Sequence, residues 1–92
     1  MVKHIVLWRL KNKADAARVK QELESMRGKI PGLLGLEVGL NFAENSPVDI
    51  GLYSEFSDRA ALDAYADHPV HVPVKQAVGP LMAERWVLDY DA

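Results

Sequence analysis

The chain contains no cysteine at all. That excludes a disulfide framework, a thiolate metal site and a thiol nucleophile. Long apolar runs are missing too. The longest unbroken stretch of large apolar residues is Ile5 to Trp8, closed by Arg9. A bilayer span needs about 20 such residues, and the opening ten residues do not read as a secretion signal. No excess of either charge sign exists: the formal net charge is −2, which gives no electrostatic reason to bind nucleic acid or an anionic membrane. No low-complexity stretch, repeat or linker interrupts the sequence. These absences point to one cytoplasmic domain spanning residues 1–92, built without staples. The 49% hydrophobic fraction beside 26% charged residues is ordinary globular composition and excludes disorder.

Alternation and helical spacing then give the order of elements. Residues 2–10 read as a strand, with His4, Val6, Trp8 and Leu10 on one face and Lys3, Ile5, Leu7 and Arg9 on the other. Residues 14–29 read as a helix whose stripe is Ala16, Val19, Leu23, Met26 and Ile30. Asn12 marks its start; Gly28 and Pro31 bracket its end. Strands follow at 35–42 and 49–56, joined by the turn residues Asn45, Ser46 and Pro47. Ser57 is expected to cap a second helix, with Asp58 in its first turn. Leu62, Tyr65 and Ala66 form its buried stripe, and Pro69 ends it. A short helix is expected from Pro73 to Val78, and a last strand from Arg85 to Tyr90.

This β-α-β-β-α-β order is the ferredoxin-like pattern of an α+β domain. Right-handed crossovers place both helices on one face of a four-stranded antiparallel sheet. Strands one and four carry apolar groups on both faces, so the uncovered face needs a partner. A twofold homodimer is the commonest solution.

Several short stretches together resemble a known family. They are Val2-Lys3-His4-Ile5-Val6-Leu7, the Ile30-Pro31-Gly32 step, the Phe56-Ser57 junction, Leu62-x-x-Tyr65-x-x-His68-Pro69-x-His71, and the closing Asp89-Tyr90. In this order and spacing they resemble the stress-responsive A/B barrel domain family, Dabb, over the whole chain. The resemblance implies a dimeric α/β barrel in which two ferredoxin-like sheets pack face to face. Family members include stress-induced plant oligomers and a plant polyketide cyclase that needs no cofactor. The cyclase's first-strand histidine, second-helix tyrosine and following histidine fall on His4, Tyr65 and His71. Helix one offers no aromatic wall, so the resemblance does not extend to the same substrate.

A histidine with an ordinary pKa of about 6.5 is a competent base at neutral pH. A tyrosine hydroxyl can hold a developing enolate oxygen. Such a pair suits proton abstraction next to a carbonyl, as in cyclisation or isomerisation. His4, Tyr65 and His71 are therefore the candidate catalytic residues. Val6, Trp8, Val19, Leu23 and Leu52 are the candidate substrate-binding residues for a small-molecule ligand. No cofactor and no metal are expected, although His68, His71 and His4 would also supply a three-histidine set. The alternative is a non-catalytic stress-responsive oligomer in which the same residues only pack. RNA binding lacks the basic, aromatic third strand it would need, and no glycine-rich phosphate loop is present.

Overall fold

A computed structural model describes residues 1–92. Four strands form one antiparallel sheet: β1 (Val2–Leu10), β2 (Leu33–Leu40), β3 (Ile50–Phe56) and β4 (Met82–Asp91), in the order β2-β3-β1-β4. Three helices, α1 (Ala16–Glu24), α2 (Arg59–Ala66) and α3 (His71–Val78), complete the ferredoxin-like fold. No helix is long and apolar enough to cross a membrane.

The alternation in β1 decides which sheet face carries the core. Val2, His4, Val6, Trp8 and Leu10 are all buried, while their neighbours on the other face are half-buried or exposed. Leu36, Val38, Ile50, Leu52, Ser54 and Phe56 extend this buried layer across β2 and β3. The helix-one stripe closes it: Val19 and Met26 are fully buried and Leu23 and Ile30 nearly so. The other sheet face is open. Leu7 on β1 faces Trp86 on β4, and Ile5 faces Leu88. Leu7, Trp86, Leu88 and Tyr90 are all exposed there.

Boundaries differ from the sequence expectation in several places. Asn12 caps a short 3-10 turn, its Oδ1 accepting from the Ala14 N–H at 3.0 Å, before α1 begins. The regular helix stops at Glu24, and turns carry Met26 and Ile30 into the core. Strand β2 ends at Leu40, leaving Phe42 exposed beyond the last paired rung. The cap of α2 is Asp58, not Ser57: its carboxylate accepts from the Ala61 N–H at 2.8 Å. Asp58 does more here than favour the helix dipole, because a side-chain acceptor satisfies an otherwise unpaired first-turn donor. Helix α3 starts two residues earlier than Pro73, so the proline sits within the first turn, where its missing N–H costs nothing.

Gly32 sets the approach of α2 to the β2 entry. Its φ is +80°, and a Cβ placed there would lie 2.6 Å from the Ala61 Cβ. Only glycine allows both that backbone conformation and that distance. Its carbonyl also accepts from the Ser57 N–H at 3.0 Å, tying the entry of α2 to the end of the first crossover.

Candidate functional site

The break between α2 and α3 builds the site. Helix α2 ends at Ala66 and the chain turns over His68, Pro69 and Val70. The His68 ring serves this turn: its Nδ1 accepts from the Val70 N–H at 3.1 Å. The turn returns the chain so that His71, first residue of α3, lies beside Tyr65. The two rings stack with centroids 3.9 Å apart and planes 17° from parallel.

His71 is held from below. Its Nδ1 lies 3.0 Å from the Tyr65 carbonyl and 3.2 Å from the Ala66 carbonyl, two acceptors at the end of α2. Carbonyl oxygens only accept, so Nδ1 carries the hydrogen and Nε2 keeps its lone pair. Burial lowers the pKa of His71, opposed by these two carbonyls. The ring is therefore neutral at neutral pH.

Tyr65 is buried on the sheet-facing side of α2. Its ring packs on Phe56 at 5.0 Å and meets His4 edge-on at 6.0 Å. Burial pushes its pKa up to about 12, with Arg85 pulling weakly the other way. The hydroxyl stays protonated through the neutral range. It joins none of the protein's side-chain hydrogen bonds, yet no fully buried polar atom lacks a partner. The hydroxyl therefore opens onto the adjoining cleft.

His4 comes from the sheet, and β1–β4 pairing sets its partner. His4 and Asp89 are opposite one another in the register. His4 Nδ1 donates to the Asp89 carboxylate, and Ser54 Oγ donates to the His4 carbonyl at 3.1 Å. A polar ring in an apolar layer needs such a partner. Asp89 meets that need from 85 residues away in sequence. The bond fixes Nδ1 as the donor and leaves Nε2 as the unbonded ring nitrogen.

His4, Tyr65 and His71 all line one cleft of about 570 Å³ between β1, β4 and the second and third helices. That volume is typical of a small-molecule site. Val6, Trp8, Leu23 and Leu52 also line it. Val19 does not. It is completely buried in the α1 core, where it packs the layer and touches no open space. Asp63, exposed on α2, also lies at the cleft wall. The three histidines do not gather as a ligand set: no group of three or more His, Cys, Asp or Glu side chains lies close enough to hold a metal ion.

Sequence reasoning missed Asp89, Arg85 and the α3 wall of Val74, Lys75 and Val78. The closing Asp89-Tyr90 pair was the signal available for Asp89. Its pairing with His4 becomes visible once the two terminal strands are set in register.

The stress responsive A/B barrel domain family matches this chain over residues 2–92. The chain belongs to that family. A dimeric protein of unknown function with a ferredoxin-like fold from Bacteroides fragilis is 33% identical to this Dabb chain. The alignment covers 99% of this chain and 95% of that one, with a TM-score of 0.88. A Dabb family protein from Mesorhizobium loti is 25% identical over 99% and 95% of the two chains, with a TM-score of 0.79. The hydroxynitrile lyase of Passiflora edulis, 17% identical over 97% and 90%, shares the fold at a TM-score of 0.80. No curated protein matches this Dabb chain.

Proposed function

We propose that the cleft binds a small carbonyl compound and that this Dabb protein catalyses cofactor-independent proton abstraction next to the carbonyl, as a cyclase or isomerase does. One observation carries the reading. A protonated tyrosine hydroxyl with no protein partner opens onto an apolar cleft, and its ring stacks on His71 and meets His4 edge-on, two imidazoles whose Nδ1 atoms are tied down.

In this reading the substrate carbonyl accepts a hydrogen bond from Tyr65. The neutral His71 takes the adjacent C–H proton on Nε2. The electron pair moves into the carbonyl, and the negative charge gathers on the oxygen that Tyr65 holds. Donors already aimed at a developing oxyanion need no reorganisation as charge forms. His4, edge-on to Tyr65, supplies the second proton-transfer group. Asp89 orients that ring and balances a positive charge on it. The enolate then regains a proton at another carbon, giving an isomer, or attacks a second carbonyl, giving a ring.

The open sheet face supports a homodimer. Leu7, Trp86, Leu88 and Tyr90 form an apolar surface that a monomer seldom leaves uncovered, and the Bacteroides fragilis relative is dimeric. This surface lies on the side of the sheet away from the cleft, so a second copy can cover it and leave the cleft open. A non-catalytic oligomer shares this face and is separated by activity alone.

The test is exchange of solvent deuterium into the α-carbon of 1,3-diketones, followed by proton NMR. The wild-type protein is expected to accelerate exchange. His71→Ala should return it to background, and Tyr65→Phe should slow it roughly 10- to 1000-fold, the cost of one oxyanion donor. Exchange equal in all three proteins overturns the catalytic reading and leaves the structural one.

A further inference from the structure

Three of the five arginines, Arg9, Arg27 and Arg59, pair with carboxylates: Glu84, Glu24 and Asp91. Arg18 lies on the exposed side of α1. Arg85 differs from all of these. It lines the cleft yet makes no hydrogen bond or ion pair with any protein group. Its position follows from the register. Trp8 and Arg85 are opposite one another on β1 and β4, and Trp8 is on the helix-facing side of the sheet. Arg85 therefore shares that side with Asp89, four residues along the strand and about 13 Å away at the usual rise. The apolar surface proposed for dimerisation is on the opposite side, so a second copy does not occupy the guanidinium.

The other charges at the cleft have assignments or lie elsewhere on its wall. Asp89 is engaged by His4. Lys75 donates to the Ala66 carbonyl at 2.7 Å, at the C-terminal end of α2. Asp63 is exposed on α2, across the cleft from β4. The walls between are Val6, Trp8, Leu52, Val74 and Val78. The cleft thus presents a hydroxyl donor at Tyr65, an apolar body, and one uncommitted guanidinium at the sheet edge. The guanidinium's field reaches the tyrosine, where it opposes the dominant effect of burial.

We propose that the cleft selects a carbonyl compound bearing a carboxylate, with Arg85 as the anion anchor and Tyr65 on the carbonyl. This rests on the carbonyl reading above and adds the substrate class to it. A guanidinium presents two parallel N–H groups that match a carboxylate, and such a charge-assisted pair is stronger than a neutral hydrogen bond. Its location at the rim gives the ligand a fixed direction: apolar body inward along Trp8 and Val78, charged end at the β4 edge.

The proposal is tested by binding, independently of turnover. The probes are 4-phenyl-2-oxobutanoate and its methyl ester, which differ in charge and little in shape. Calorimetric titration of the full chain at low salt is expected to give at least about tenfold tighter binding of the acid, the scale of one charged hydrogen bond. Arg85→Gln should remove most of that preference and leave ester binding unchanged. Arg85 is exposed, so the variant is expected to fold, and circular dichroism verifies this. Added salt should shrink the preference in the wild type. Equal affinities, binding of neither probe, or a preference that survives in Arg85→Gln overturns the anion anchor. Acid preference lost in Arg85→Gln without any α-deuterium exchange upholds the anchor while removing the catalytic reading. Exchange that proceeds equally on acid and ester, unaffected by Arg85→Gln, does the reverse.

Discussion

Asp89→Ala separates what holds His4 from what surrounds it. The His4 side chain is only 9% exposed, whereas that of Asp89 is 44% exposed. Removing the carboxylate leaves a buried ring N–H without its acceptor. A buried donor with no partner at all costs about 1–3 kcal/mol. The space left by Asp89 is continuous with solvent, so a water can enter and take the bond. The expected loss is therefore at the low end, about 1 kcal/mol. In a domain of this size that lowers Tm by roughly 4–8 °C. Asp89→Asn keeps an acceptor at the same place and should lose less stability than Asp89→Ala. Both variants remove the charge that balances a protonated ring, so both should slow proton transfer. Thermal denaturation by circular dichroism gives the first quantity, and nitrogen-15 spectra of the imidazoles give the tautomer. An Asp89→Ala protein with unchanged Tm and His4 still protonated on Nδ1 would refute the reasoning.

Other substitutions probe the remaining parts of the structure. Met26→Asp buries an unpaired carboxylate at a fully buried position. The expected cost of several kcal/mol approaches the whole stability of a small domain, and loss of the folded far-ultraviolet signal checks it. Gly32→Ala forces a side chain into positive φ and against Ala61; a loss of about 2 kcal/mol or more is expected from urea denaturation. Ile5→Glu with Leu88→Glu places two like charges at opposed positions on the open face. Light scattering should give a dimer for the wild type at tens of micromolar, an assumed concentration above typical dimer dissociation constants, and a monomer for the double variant. Burial lowers the His71 pKa below its ordinary 6.5. The unfolded chain then binds the proton first as pH falls, so stability present above pH 6.5 declines through the folded pKa. His71→Asn should flatten that slope in denaturation measured from pH 7 to 5, an assumed range that brackets the ordinary histidine value.

Local patterns in the sequence carry most of the fold. The two-residue period of β1 places His4 in the buried layer, and the stripe of α1 identifies Val19, Leu23 and Met26 as core. Apolar spacing does not mark where hydrogen bonding changes. The stripe runs on to Ile30 although the α-helix ends at Glu24. The same limit explains β4. Met82 to Glu84 pair with Leu10 and Arg9 across an irregularity in register, which one strand's alternation does not record. In the site, the family resemblance marked Tyr65 and His71, and the proline turn between them accounts for how two residues six apart come together. Asp89 and Arg85 are assigned to the cleft by the pairing of the first and last strands, a long-range property. Val19 was placed among the ligand contacts because it shares a stripe with Leu23; one turn of helix separates a cleft wall from the closed core.

The most direct measurement records the ring nitrogens of His4, His68 and His71 by nitrogen-15 NMR while 4-nitrophenolate, an enolate mimic, is added. Before addition, His4 and His71 should both carry hydrogen on Nδ1, and the Nε2 of His71 should be bare. On addition, the Nε2 signals of both rings should shift together with the Tyr65 hydroxyl environment, while His68, held in its turn, stays unchanged. Shifts confined to His68, or none at saturating phenolate, would contradict the claim that His4, Tyr65 and His71 form one site for an oxygen carrying negative charge.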